Sequence, residues 1–213
     1  VPGEEDTDDG GTIREPILPG GEKRKFYVDG GQVEIAAHLV YELDPQGNQL
    51  RVVKYTDYTA DKVRSLFPNA AELRKRWADA GGRNEIIAAL SERDIEFDEL
   101  ADAAKQPDAD PFDLLCHLAF NAPLRTRRER AERLRTERKD FFDKYGPEAK
   151  HILEELLEKY AEHGTTQFAI PEILKVPPIL EHGTVLDIVS KFGSADRLRE
   201  AIAELQTLLY AAA

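Results

Sequence analysis

The sequence predicts a mainly α protein of the α+β type, a helical domain preceded by a small antiparallel β-meander. Three observations lead there. After Tyr58, apolar residues recur at helical spacing, as in "GPEAKHILEELLEKYAEHG", where Ala149, Ile152, Leu153, Leu156 and Tyr160 share one face. Before it, "KFYVDGGQVEIAAHLVYELDPQGNQLRVVKY" is rich in β-branched and aromatic residues, and "DGG" and "DPQGN" interrupt it. These are hairpin signals, because Gly and Asn tolerate positive φ where the chain reverses. Finally, 213 residues, of which 41% are hydrophobic, suffice for one sizeable core.

The elements follow in order. Residues 1–21 contain "EEDTDDGG" and "PILPGG" with no periodic apolar face, which predicts an acidic Gly/Pro-rich linker or arm. The remaining residues, 22–213, are expected to form one C-terminal domain. Its meander, of three strands, covers about 22–56 and turns Phe26, Val28, Val33 and Ile35 toward the helices. The helical part covers about 59–210. Thr59 is expected to cap the first helix. Asn69, with Glu72 three residues on, caps the next, and the pair Gly81-Gly82 stops it. Asp110 caps "PFDLLCHLAF" with Pro111 at the first helical position, where a missing N–H costs nothing. An arginine-rich helix follows Pro123, and the helix in "GPEAKHILEELLEKYAEHG" ends at Gly164. The stretch "PEILKVPPIL" reads as a proline-punctuated connector. A short helix runs from Thr184 to Gly193, and Ser194 caps the last one.

Composition narrows the function. There is no G-x-x-x-x-G-K-[ST] phosphate cradle and no G-x-S-x-G elbow. The lone Cys116 lies in the apolar "DLLCHLAF", where burial suppresses thiolate reactivity, and it has no partner for an internal disulfide. A cytoplasmic setting without membrane association is expected. No methionine occurs, even at the first position, so Val1 is read as lying inside a longer parent. Catalytic, cofactor-binding and metal-ligating residues are all expected to be none. Glu148 and His151 form an E-x-x-H pair with Glu155 one turn on, a spacing used by helical di-metal sites. No matching second E-x-x-H exists, so they read as a solvated helix start, and His38, His117, His163 and His182 as scattered single residues. Asp108 and the segment Glu137–Lys139 imitate a nuclease P-D…E-x-K pattern without its strand context.

The segment "PLRTRRERAERLRTERK" (123–139) carries seven arginines and one lysine against three glutamates, in a chain of net charge -12. At helical spacing Leu124, Ala131, Leu134, Phe141 and Tyr145 form an apolar stripe. Arg125, Arg128, Arg135 and Lys139 flank it on one side, and Arg127, Arg130 and Arg138 on the other. Glu129–Arg133 and Glu132–Arg135 are expected to pair within the helix. With Arg133, these cations are the interaction candidates, toward phosphates or an acidic protein surface. The overall negative charge weighs against DNA binding by the whole domain.

Several stretches, "RKFYVDG", "YTDYTADKV", "DPFDLLCHLAFNAPLRTRRERAERLR", "KYGPEAKHILEELLEKYAEHG" and "LKVPPILEHGT…IVSKFGSADRLREAIAELQTLLY", together resemble the C-terminal domain of the R subunit of type I restriction enzymes, of the EcoEI type. The likeness runs from Glu22 to Tyr210, and its most specific part is the long block around the arginines. The resemblance implies a parent with a nuclease domain and an ATP- and Mg-dependent DNA translocase. It also implies a helical domain that docks this motor onto the methyltransferase and specificity subunits. No catalytic residue carries over to this chain. The leading expectation is therefore a non-catalytic assembly domain. The alternatives are direct contact with duplex DNA through the arginine helix and a metal-dependent nuclease.

Overall fold

The structure is a computed structural model that describes residues 24–28, 31–36 and 38–211. The expected arm at 1–21 and the "DGG" turn at Asp29-Gly30 lie outside the described residues. So do the side chains of Phe26 and Val28.

Among the described residues four strands, not three, form the sheet: β1 (Arg24–Val28), β2 (Gly31–Ala36), β3 (Leu39–Leu43) and β4 (Gln49–Lys54), each antiparallel to the next in the order β1-β2-β3-β4. Sequence reading merges β2 and β3 because their connection, Ala37-His38, lacks any Gly, Pro or Asn. His38 adopts φ 61 there, a left-handed conformation that non-glycine residues rarely take. Between β3 and β4 the carboxylate of Asp44 accepts from the backbone of Gln46 and Asn48 at 2.9 and 2.8 Å, which closes "DPQGN" as an Asx-type turn. Val33, Ile35 and Val40 are buried on the face that meets the helices.

Ten helices follow among the described residues: α1 (Tyr55–Leu66), α2 (Ala70–Trp77), α3 (Ala80–Ser91), α4 (Phe97–Ala103), α5 (Pro111–Phe120), α6 (Arg127–Glu137), α7 (Lys139–Phe142), α8 (Pro147–His163), α9 (Val185–Phe192) and α10 (Ala195–Leu209). Strand β4 runs directly into α1, whose first N–H, that of Tyr55, donates to the His38 carbonyl at 2.8 Å. The helix therefore starts four residues before the expected cap. Thr59 is buried inside α1, and its hydroxyl donates to the Tyr55 carbonyl at 2.8 Å. The caps expected at Asn69, Asp110 and Ser194 all form, each side chain accepting from a backbone N–H of the first turn, and Thr184, expected only as the start of a short helix, caps α9 in the same way.

The Gly81-Gly82 pair does not stop α2. It lies in the first turn of α3, where Asp79 caps the helix by accepting from Gly82 N–H at 2.8 Å. The reason for a glycine is close approach: a Cβ on Gly82 would sit 2.4 Å from the Arg76 carbonyl oxygen.

Helix α8 is the spine of the core. Ile152, Leu153, Leu156 and Leu157 are fully buried side by side, packed against α6 and α9, and each such side chain contributes roughly 1.5–3 kcal/mol. The connector between α8 and α9 is three 3₁₀ turns, at Thr165–Phe168, Glu172–Lys175 and Ile179–His182. Phe168, Ile173, Leu174 and Ile179 peg it to the core.

Replacing Gly82 with Ala should destabilise the fold by about 1–3 kcal/mol despite the better helix propensity of Ala, because the Arg76 carbonyl is backbone and must be displaced. Gly146→Ala, where nothing lies within 4 Å of the new Cβ, should stay within about 0.5 kcal/mol of the unsubstituted chain in urea unfolding.

Candidate functional site

The arginine helix is placed by a staple at its start. An isolated antiparallel bridge pairs Ala109 with Thr126. Around it, Asp110 N–H donates to the Arg125 carbonyl at 3.0 Å and Arg127 N–H to the Asp108 carbonyl at 3.1 Å. The first turns of α5 and α6 are thereby fixed side by side. Residues 123–125 are not helical, and α6 begins only after Thr126, which forms a capping box with Glu129. Glu129 accepts from Thr126 N–H at 2.7 Å, and this bond and the Thr126 hydroxyl hold its carboxyl below the usual range.

That box overturns one expected pair. Committed to the cap, Glu129 does not pair with Arg133, which turns to Glu137 at 2.9 Å instead. Glu132 and Arg135 pair as expected, at 2.6 Å.

One turn beyond the staple, Arg130 points inward. It forms a two-pronged ion pair with Asp113 of α5, its Nε meeting one carboxylate oxygen and its Nη2 the other at 2.8 Å. Its Nη1 donates to the Leu209 carbonyl at the end of α10, at 2.7 Å. The guanidinium also lies 4.9 Å from the Tyr210 ring centroid and 5.1 Å from that of Phe112. Only 5% of Arg130 is exposed, so its place among outward interaction candidates is corrected: it is a core residue. Burial opposes its charge, but the Asp113 hydrogen bond and the nearby Asp110 and Asp113 carboxylates outweigh that and hold its pKa above the ordinary arginine value.

A second buried polar centre adjoins the first. Asp110, fully buried, accepts from Phe112 N–H at 2.8 Å, from the Tyr160 hydroxyl at 2.5 Å and from the Tyr210 hydroxyl at 2.9 Å. Burial, and next the Asp110 charge, push both phenols well above their usual pKa. They remain donors.

The other cations sit at the periphery. Arg128 and Arg135 both reach Glu158 of α8, at 3.2 and 2.8 Å, and the hydrogen bond from Arg135 leads in lowering the Glu158 pKa. Arg127 donates to the Ala109 carbonyl at 3.2 Å, and Arg138 pairs with Asp140 at 3.1 Å. Helix α6 ends at Glu137, and Arg138 breaks the helical path with φ -121 and ψ 44, so Lys139 does not continue the flank of Arg125, Arg128 and Arg135. Arg125 and Lys139 have no ion-pair partner among the described residues. A groove between α6 and the end of α10 is lined by Arg125, Arg133, Glu137, Arg138 and Leu208, with Arg130 at its floor.

Elsewhere, Asp108 and Glu137 lie at opposite ends of α6, roughly 15 Å apart along a ten-residue rise, so the nuclease-like pattern does not converge. Burial pushes the Cys116 thiol up to about 12. Glu148 lies exposed in the first turn of α8, the solvated helix start expected, and Lys191 of α9 reaches it at 3.0 Å. His182, however, is not a scattered residue. It lies against Glu155 at 2.8 Å, and His151 meets the same carboxylate at 3.2 Å. Sequence spacing registers the first two of that trio and misses the third, which arrives through the connector. No described helix is long and apolar enough to cross a membrane.

The family model described as EcoEI R protein C-terminal matches residues 53–210. An Escherichia coli protein, a type I restriction enzyme EcoAI endonuclease subunit, is 34% identical over 208 residues, covering 96% of this chain and 25% of the relative. The chain thus spans about a quarter of that relative's length. No solved structure matches it.

Two outcomes follow from the buried centre. Arg130→Ala should cost about 3–5 kcal/mol by stranding a buried carboxylate, whereas the joint replacement Arg130→Met with Asp113→Leu should recover much of that loss in urea unfolding. Cys116 should resist thiol reagents at mildly alkaline pH and react only on denaturation, because its thiolate is scarce far below a pKa of about 12.

Proposed function

The chain belongs to the EcoEI R protein C-terminal family, the C-terminal region of the R subunit of type I restriction enzymes, and on that premise we propose that it is a non-catalytic assembly domain. In this reading it docks a motor subunit that translocates and cleaves DNA, using ATP and Mg²⁺, onto a methyltransferase and specificity core in the cytoplasm. The observation that carries it is the groove where the arginine helix meets the end of α10. Arg125, Arg133, Arg138 and an apolar Leu208 line one concave surface together with Glu137. Of these arginines Arg125 is the one without an ion-pair partner among the described residues, while Arg133 and Arg138 would exchange exposed carboxylates for a partner's. Such a surface suits a protein element that brings acidic side chains beside an apolar one, since guanidinium groups bind carboxylates in two-pronged geometry.

Direct DNA contact is the second reading, and the disposition of the arginines favours it less. A phosphate track needs cations free along one face. Here Arg128, Arg133, Arg135 and Arg138 are matched with carboxylates, Arg130 is buried, and the chain carries a net charge of -12.

The test is co-purification of the parent subunit with its core. Arg125→Glu combined with Arg133→Glu should reduce recovery of the complex at unchanged thermal stability of this domain. Equal recovery removes the groove as the interface. Duplex DNA should not be shifted by the unsubstituted chain at low salt, and a shift that fades steeply with added salt would favour the DNA reading instead.

A further inference from the structure

We infer that His151, Glu155 and His182 form a binding site for a divalent transition-metal ion, with Zn²⁺ the best match to the donors. The three come from two elements. His151 and Glu155 are one turn apart on α8, which places them on the same face, and His182 ends the 3₁₀ turn Ile179–His182. Their donor atoms all lie within 4.8 Å of one another. The Glu155 carboxylate is the hub, with one oxygen 2.8 Å from His182 Nε2 and the other 3.2 Å from His151 Nε2. The imidazole centroids are 5.3 Å apart and the rings nearly perpendicular, at 74°.

These separations suit one small ion. Donors held about 2.0–2.1 Å from a tetrahedral Zn²⁺ are roughly 3.3 Å from each other, so the side chains need little movement to converge on a common centre. Two imidazoles and a carboxylate are a zinc-type set. Mg²⁺, which prefers an octahedron of oxygens, is poorly served by it. Three protein ligands leave a fourth position, and it falls on the open side: the His151 side chain is 60% exposed, while those of Glu155 and His182 are each 18% exposed.

The site is held in place by its surroundings. Ile179, fully buried, anchors the start of the turn that carries His182. At its end Gly183 has φ 118, where a Cβ would lie 2.8 Å from that of Asp187. Asp187 is fixed in turn by the capping box with Thr184 that opens α9. His182 therefore sits between two pinned points. A bound ion would tie the connector to α8 across 27 residues of sequence, a staple in a region otherwise held by a few apolar pegs.

The experiment is calorimetric titration of Zn²⁺ into the untagged, chelator-stripped chain at neutral pH, paired with visible spectra of the Co²⁺-loaded chain. The expected result is about one ion per chain, with tetrahedral Co²⁺ absorption. His151→Ala and His182→Ala should each weaken binding by about 100-fold or more, and His163→Ala should leave it unchanged. His151 is exposed enough that its loss does not disturb the core, so His151→Ala separates ligation from folding. An unsubstituted chain that does not bind Zn²⁺, or binding that survives intact in both variants, overturns the site.

Discussion

Arg130 and Asp113 are buried together where α5, α6 and the end of α10 meet, and the positions of those three helices depend on the pair. A guanidinium removed from water is tolerated only when its donors are matched and its charge is balanced. Asp113 supplies the charge, the Leu209 carbonyl accepts a further N–H, and the faces of Phe112 and Tyr210 cover the flat ion. The geometry is demanding and therefore specific. Arg130 reaches Asp113 only because the bridge at Ala109 and Thr126 sets the two helix starts level. Asp110 adds a further constraint, since its carboxylate closes the α5 cap while receiving phenols from α8 and from Tyr210, just past the end of α10.

This arrangement explains what an acidic chain does with one strongly basic helix. Most of the positive charge is spent inside the domain. Arg130 is a core strut, and Arg128 and Arg135 clasp Glu158 to lay α6 along α8. Each exposed pair contributes little by itself, but two arginines converging on one glutamate fix the helix's rotation about its axis. Once the inner arginines are satisfied, Arg125, Arg133 and Arg138 are left along the groove beside α10. The helix is thus scaffold along one face and a candidate contact at one edge.

Much of the fold was legible from local chemistry. Helix starts at Asn69, Asp110 and Ser194 could be read because a cap and its N–H donor lie within three residues of each other. The apolar stripe of α8 was equally plain. What escaped was non-local or lacked the usual punctuation. The β2–β3 turn uses His38 at positive φ in place of glycine, and the glycine pair before α3 answers to a neighbouring carbonyl rather than to a helix end. Nothing in the spacing of seven arginines singles out Arg130, because its partner lies on another helix, 17 residues earlier.

The histidine cluster shows the same limit. Helical periodicity places His151 beside Glu155, but His182 reaches them through a connector of prolines and 3₁₀ turns that has no period to read. The connector's path is set by its buried pegs, Phe168, Ile173, Leu174 and Ile179, and its last turn is set by the Gly183–Asp187 contact. Apolar anchoring and a glycine forced by close approach thus deliver a polar side chain to one carboxylate oxygen while the helix delivers another to its mate. The carboxylate makes the convergence possible: it offers two oxygens, and each imidazole takes one. A glutamine at position 155 would offer one acceptor and lose the charge that draws both rings together.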